Sequence, residues 1–258
     1  MRPRRSALPL MLVALGVALS ACGSTSSSGS TATSTTVTVF AASSLKESFT
    51  AIGTAFEAAN PGATVTFNFG PSSGLATQIT QGAPADVFAS ASQKTMDAVS
   101  AASLANSPQV FAVNSLAIAT PVQQSVPVTS LTDLAKPGIK VAVCQKEVPC
   151  GAAALALFEK NSVSVTPASE EADVKAVLTK VQLGEVDAGI VYVTDVKAAK
   201  AGVTGIAIPA ERNVTTRYPI AALLTSSGSA SATSTAFVDY VLSPAGQQVL
   251  LNAGFVSP

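Results

Sequence analysis

Between residues 37 and 251 one pattern recurs: a short apolar run, a turn of small residues, then apolar side chains at helical spacing. Residues 37–42 read as a strand, Ser43-Ser44 as the turn, and Leu45, Phe49, Ile52 and Phe56 as one helix face. Ser44 and Glu47 have the spacing of a capping box. Asn60-Pro61-Gly62 ends that helix, and residues 63–69 alternate as a strand. The unit then repeats. Gly70-Pro71-Ser72-Ser73-Gly74 leads into a helical pattern carrying Leu75 and Ile79 as far as Gly82, and residues 85–90 form another short apolar strand. Strands alternating with helices predict an α/β fold with mostly parallel sheets.

A middle block carries its own units: strand 140–143, helix 151–160, helix 170–183 with Val174, Leu178 and Val181 on one face, and buried strand 189–193. Apolar strands at 116–119 and 218–224 flank it. The expected architecture is two lobes, each a mostly parallel sheet flanked by helices, joined by two crossover strands. Lobe 1 comprises residues 37–117 and 219–258, and lobe 2 residues 118–218. The C-terminal stretch 235–251, broken at Ser243-Pro244, returns to lobe 1 as one or two helices.

The start of the chain has a different character. Arg2, Arg4 and Arg5 precede an apolar stretch from Ala7 to Leu19, the order of a secretory signal too short for an ordinary membrane span. Leu19-Ser20-Ala21-Cys22 resembles the bacterial lipobox, which implies that residues 1–21 are removed and that Cys22 is lipidated. Residues 23–36 are almost all Ser, Thr, Gly or Ala, a composition that buries too little apolar surface to fold, so residues 22–36 are expected to form a flexible tether. Export bears on the remaining cysteines, Cys144 and Cys150. An oxidising compartment favours a disulfide between them, and two free thiols or a metal pair are the alternatives.

Composition removes whole classes of chemistry. The 258 residues contain no histidine and no tryptophan. The commonest general base and every Ser-His or Cys-His arrangement are therefore missing. Without the three arginines of the leader, 12 basic residues face 15 acidic ones, about −3, which is no footprint for nucleic acid. Gly70-Pro71-Ser72-Ser73-Gly74 does spell the G-x-S-x-G of a hydrolase elbow between a strand and a helix. A serine hydrolase built on Ser72 would nevertheless lack a base.

The two serine turns suit another task. Backbone N–H groups at helix starts are unpaired and sit at the positive end of the dipole, so Ser43-Ser44 and Ser72-Ser73 are natural anion-binding turns, although a serine there is more often only a cap. Five segments occur in order: Val39-Phe40-Ala41-Ala42-Ser43-Ser44-Leu45; Gly82-Ala83-Pro84-Ala85-Asp86-Val87-Phe88 with Ala91-Ser92; Val148-Pro149-Cys150-Gly151; Ala172-Asp173-Val174; and Gly189-Ile190-Val191-Tyr192. Together they resemble the periplasmic molybdate-binding protein (ModA) family of ABC importers, over nearly all of residues 37–258.

The resemblance implies the type II periplasmic-binding-protein fold and a tetrahedral oxyanion held between two lobes. Ser44 and Ser72 would each give hydroxyl and amide hydrogens, Cys150 and Val174 their amides, and Tyr192 its phenol. Cys150 stands where the family commonly has Ala, so its side chain must turn away from the ligand. Read on their own, Val174 is a core residue and Tyr192 an interior tyrosine. The resemblance further implies a membrane permease with a cytoplasmic ATPase as partner, an exported, lipid-anchored monomer of the cell envelope on its periplasmic side, molybdate and tungstate as cargo, no cofactor, no cation ligands and no catalysis. Sulfate or another tetrahedral oxyanion is the nearest alternative cargo.

Overall fold

The computed structural model describes residues 35–225 and 227–258. The expected signal peptide, Cys22 and nearly all of the tether lie outside the described residues. The first strand, β1 (Thr35–Ala42), takes in the last two residues of the expected tether, because Thr35 and Thr36 pair with Ala63 and Thr64.

Lobe 1 continues with α1 (Lys46–Ala59), β2 (Ala63–Gly70), α2 (Ser72–Thr80), β3 (Val87–Ala89) and α3 (Gln93–Ala101). A long strand, β4 (Gln109–Thr120), leads into β5 (Val141–Cys144), α4 (Pro149–Lys160), β6 (Ser169–Glu171), α5 (Val174–Gln182), β7 (Ala188–Tyr192), α6 (Val193–Ala199) and β8 (Thr204–Ala207). The chain returns through β9 (Thr215–Ala222) to α7 (Ala232–Leu242) and α8 (Pro244–Ala253).

The strands run in the order β2-β1-β3-β9-β4-β7-β5-β6, with β8 beside β4. β1 is parallel to both β2 and β3, and β5 is parallel to both β6 and β7. The crossover strands break this pattern. β9 is antiparallel to β3 and β4, and β4 changes partners along its length: Gln109–Ser115 pairs with β9 and Leu116–Ala119 with β7. One strand thus serves both sheets.

Alternation along β1 explains the packing of lobe 1. Val37, Val39 and Ala41 face a core with Phe49, Phe56, Phe111 and Phe237, whereas Phe40 faces a second core with Leu75, Phe88 and Met96. Buried on both faces, the strand reads as a continuous apolar run. Lobe 2 has a separate core that includes Leu116, Ile118, Val141, Leu157, Val177 and Ile190.

Three local expectations change. The helix expected from residue 170 starts at Val174, because Ser169–Glu171 pairs beside β5 and the Asp173 carboxylate caps the N–H groups of Lys175 and Ala176. β4 is far longer than 116–119, since its polar residues Gln109, Asn114 and Ser115 interrupt the apolar pattern. The C-terminal break becomes two helices: Ser243 accepts from Gly246 N–H and Pro244 opens α8. No helix among the described residues is long and apolar enough to cross a membrane.

Candidate functional site

In α/β sheets the loops beyond the carboxyl ends of parallel strands lead into helix N-termini, and the serine turns occupy that position. β1 runs into one tight turn, Ser43–Leu45, before α1. The capping box expected from Ser44 and Glu47 does not form, and α1 starts from Leu45 without a side-chain cap. Each residue has a stronger tertiary partner. The Ser44 hydroxyl lies 2.9 Å from the phenol oxygen of Tyr218 on β9, and Glu47 accepts from Lys175 Nζ of lobe 2 at 2.8 Å.

Ser72 is the first residue of α2 and is buried. Its Oγ accepts the Ala91 N–H at 3.0 Å, which leaves the hydroxyl hydrogen free to be donated. The G-x-S-x-G reading gains nothing here. Among the described residues no acid–base partner is bonded to Ser72, and the chain has no histidine.

Lobe 2 contributes two more helix starts. Cys150 is the second residue of α4, where backbone N–H groups have no intrahelical acceptor. Its side chain forms a disulfide with Cys144 at the end of β5, with a Cα–Cα separation of 5.7 Å. The sulfur is thereby committed and only the amide remains available. Gly151 allows the helix to approach this closely, because a Cβ there would lie 1.9 Å from the Gln145 carbonyl oxygen. Val174 opens α5, and Asp173 caps the two N–H groups after it, leaving the Val174 amide at the helix head uncapped by that carboxylate.

Tyr192 ends β7, where Asp195 accepts its backbone N–H at 3.1 Å. The ring is 1% exposed, and the hydroxyl is buried without a hydrogen-bond partner. Burial raises its pKa well above the ordinary tyrosine value, so it is a neutral donor at physiological pH.

Four of the five expected residues, Ser44, Ser72, Cys150 and Tyr192, line one narrow cavity between the lobes. Val174 is not on its wall, but Asp173, immediately before it, is. No lysine or arginine lines the cavity. The arrangement can therefore surround a small anion with neutral hydrogens from both lobes. Sequence reasoning missed Tyr218 and Asn114, which stand behind Ser44 on β9 and β4. Tyr218 opens the strand expected at 218–224, which reads as ordinary sheet, and Asn114 precedes the strand expected at 116–119, and only the fold brings them to the serine turn.

The profile of bacterial extracellular solute-binding proteins matches residues 37–256. The molybdate-binding protein ModA of Mycobacterium tuberculosis (strain H37Rv) is 44% identical over 253 residues, covering 96% of this chain and 95% of that protein. This chain belongs to the ModA family. The Escherichia coli (strain K12) molybdate-binding protein ModA is 34% identical over 232 residues, covering 84% and 88% of the two chains. The periplasmic molybdate-binding protein of Azotobacter vinelandii superposes with a TM-score of 0.75 at 20% identity, over 86% of this chain and 99% of that one, and so shares the fold. These ModA relatives are named as solute-binding proteins, not as enzymes.

Proposed function

We propose that this chain is the extracytoplasmic solute-binding lipoprotein of an ABC importer, which captures molybdate, and tungstate with it, between lobe 1 (37–117 and 219–258) and lobe 2 (118–218). The observation that carries this reading is the cavity shared by Ser44, Ser72, Cys150 and Tyr192, the last of which has a buried hydroxyl with no hydrogen-bond partner. Molybdate is a fully deprotonated dianion at neutral pH and only accepts hydrogen bonds. A site of donors suits it.

Protonated phosphate brings a hydrogen that needs an acceptor. The one carboxylate on the wall, Asp173, already has an oxygen committed to two backbone N–H groups. Where no acceptor meets it, that hydrogen costs roughly 1–3 kcal/mol, so the phosphate titration also reports whether the second Asp173 oxygen reaches the ligand. Sulfate is also satisfied by donors, and a calorimetric comparison with the larger molybdate decides between them.

Lobe closure about β4 and β9 buries the ion and presents the loaded form to a permease driven by a cytoplasmic ATPase. Cys22 anchors the protein, which works as a monomer, and neither catalysis nor a cofactor enters. Isothermal calorimetry with molybdate, tungstate, sulfate and phosphate tests the reading. Tight binding of the first two and weak or no binding of phosphate is expected, and a flat molybdate titration overturns it.

A further inference from the structure

We infer that Tyr218, held in turn by Asn114, is a positioning residue that fixes the Ser44 hydroxyl as a hydrogen-bond donor toward the bound anion. The inference rests on the proposed reading of Ser44 as a ligand and deepens it. Asn114 and Tyr218 lie on the two crossover strands and are 2% and 0% exposed. Neither belongs to the set of residues lining the cavity.

The direction of each hydrogen follows from the partners. Asn114 Oδ1 accepts the Ser115 N–H at 3.0 Å, which settles which end of the amide faces inward. Its Nδ2 then donates to Thr194 Oγ1 at 2.8 Å and, over a longer 3.5 Å, to the Tyr218 hydroxyl. An amide nitrogen cannot accept, so the phenol must turn its own hydrogen elsewhere. The nearest partner of that hydroxyl is Ser44 Oγ, 2.9 Å away, a pair in which either oxygen can donate, and the Tyr192 phenol lies beyond it. With the Asn114 amide donating to the phenol, the inferred arrangement has Tyr218 donate to Ser44, which turns the serine hydrogen toward the cavity that Ser44 lines.

The consequence is preorganisation. A serine hydroxyl that can rotate freely offers an anion either its hydrogen or its lone pairs, and ordering it on binding lowers affinity. With the phenol seated on one lone pair, the donor orientation exists before the ligand arrives. The residues that set it sit on the strands joining the lobes, so the hinge itself prepares one wall of the site.

A double-mutant cycle read by molybdate calorimetry tests this, with thermal melting of each ligand-free variant as a check of folding. Tyr218→Phe is expected to weaken molybdate binding about threefold, less than the loss of the charge-assisted bond itself, because the serine hydroxyl remains and must only be ordered on binding. In a Ser44→Ala background the same change is expected to cost almost nothing, because its effect passes through the serine. Combined with Ser72→Ala it is expected to remain additive. Should Tyr218→Phe fail to fold, Asn114→Leu removes the donor that orients the phenol and is expected to behave the same way in the cycle. Unchanged affinity, or a loss equally large with and without the Ser44 hydroxyl, overturns the inference. If Ser44→Ala binds as well as the wild type while Ser72→Ala does not, the ligand reading of Ser44 fails and the positioning role falls with it. A wild type that takes up no molybdate at all overturns the cargo assignment instead.

Discussion

Tyr192 and Ser72 prepare for a ligand in opposite ways. The Tyr192 hydroxyl is buried with no partner, a state that costs roughly 1–3 kcal/mol unless something in the cavity accepts its hydrogen. Tyr192→Phe is therefore expected to leave the ligand-free protein as stable as before or more so, while weakening molybdate binding about tenfold. Melting curves and calorimetry on one preparation check both halves, and unchanged affinity would place the residue in the core alone. Ser72 is already employed, since its oxygen holds the Ala91 N–H at 3.0 Å. Ser72→Ala is expected to lower affinity at least tenfold and also to lower the melting temperature slightly, because it leaves that amide unpaired. The serines were legible as residues because each lies in a short turn between a strand and a helix. Tyr218 was not, because nothing near it in sequence refers to residue 44.

At the scale of elements, the position of α4 decides whether the Cys150 amide reaches the cavity. Two devices hold its first turn: the Cys144–Cys150 disulfide and the missing side chain at residue 151. A Cβ at 151 would overlap the backbone carbonyls of both Gln145 and Cys144, which cannot move aside as a flexible side chain does. Gly151→Ala is expected to destabilise the fold by about 3 kcal/mol or more, measured by chemical denaturation, and a loss below about 1 kcal/mol would show that the loop relaxes freely. Existence and type were readable for most elements, because apolar periodicity records which faces are buried. Ends were less readable. β6 and the true start of α5 depend on pairing with β5 and on the Asp173 cap, and neither leaves an apolar signature.

Across the whole molecule, Lys175 of α5 joins the lobes. Its ammonium lies 2.8 Å from Glu47 on α1 and 3.0 Å from Asp195, which is completely buried beside Tyr192. Burial pushes the Asp195 carboxyl up to about 6, against the opposing pull of Lys175. Because the folded state holds this proton more tightly than the unfolded chain, the group's contribution makes stability fall as pH rises from about 4 to 6. Lys175→Met removes the cation, so the destabilisation is expected to be larger at pH 8, where the carboxylate is charged, than at pH 5. Denaturant midpoints at the two pH values check it, and an equal loss at both would refute the pairing. Glu47→Gln is expected to change molybdate affinity less than about fivefold, since Glu47 is half exposed and such pairs are weak. The sequence by itself determined the alternation of strands and helices, the two serine turns and the absence of any histidine base, because periodicity, turn chemistry and composition are local. Only the tertiary structure decided that Tyr218 stands behind Ser44, that Lys175 spans the cleft and that the Tyr192 hydroxyl is left without a partner. Those are contacts between residues far apart along the chain, and strands that cross between two sheets bring them together without leaving any pattern in the order of residues.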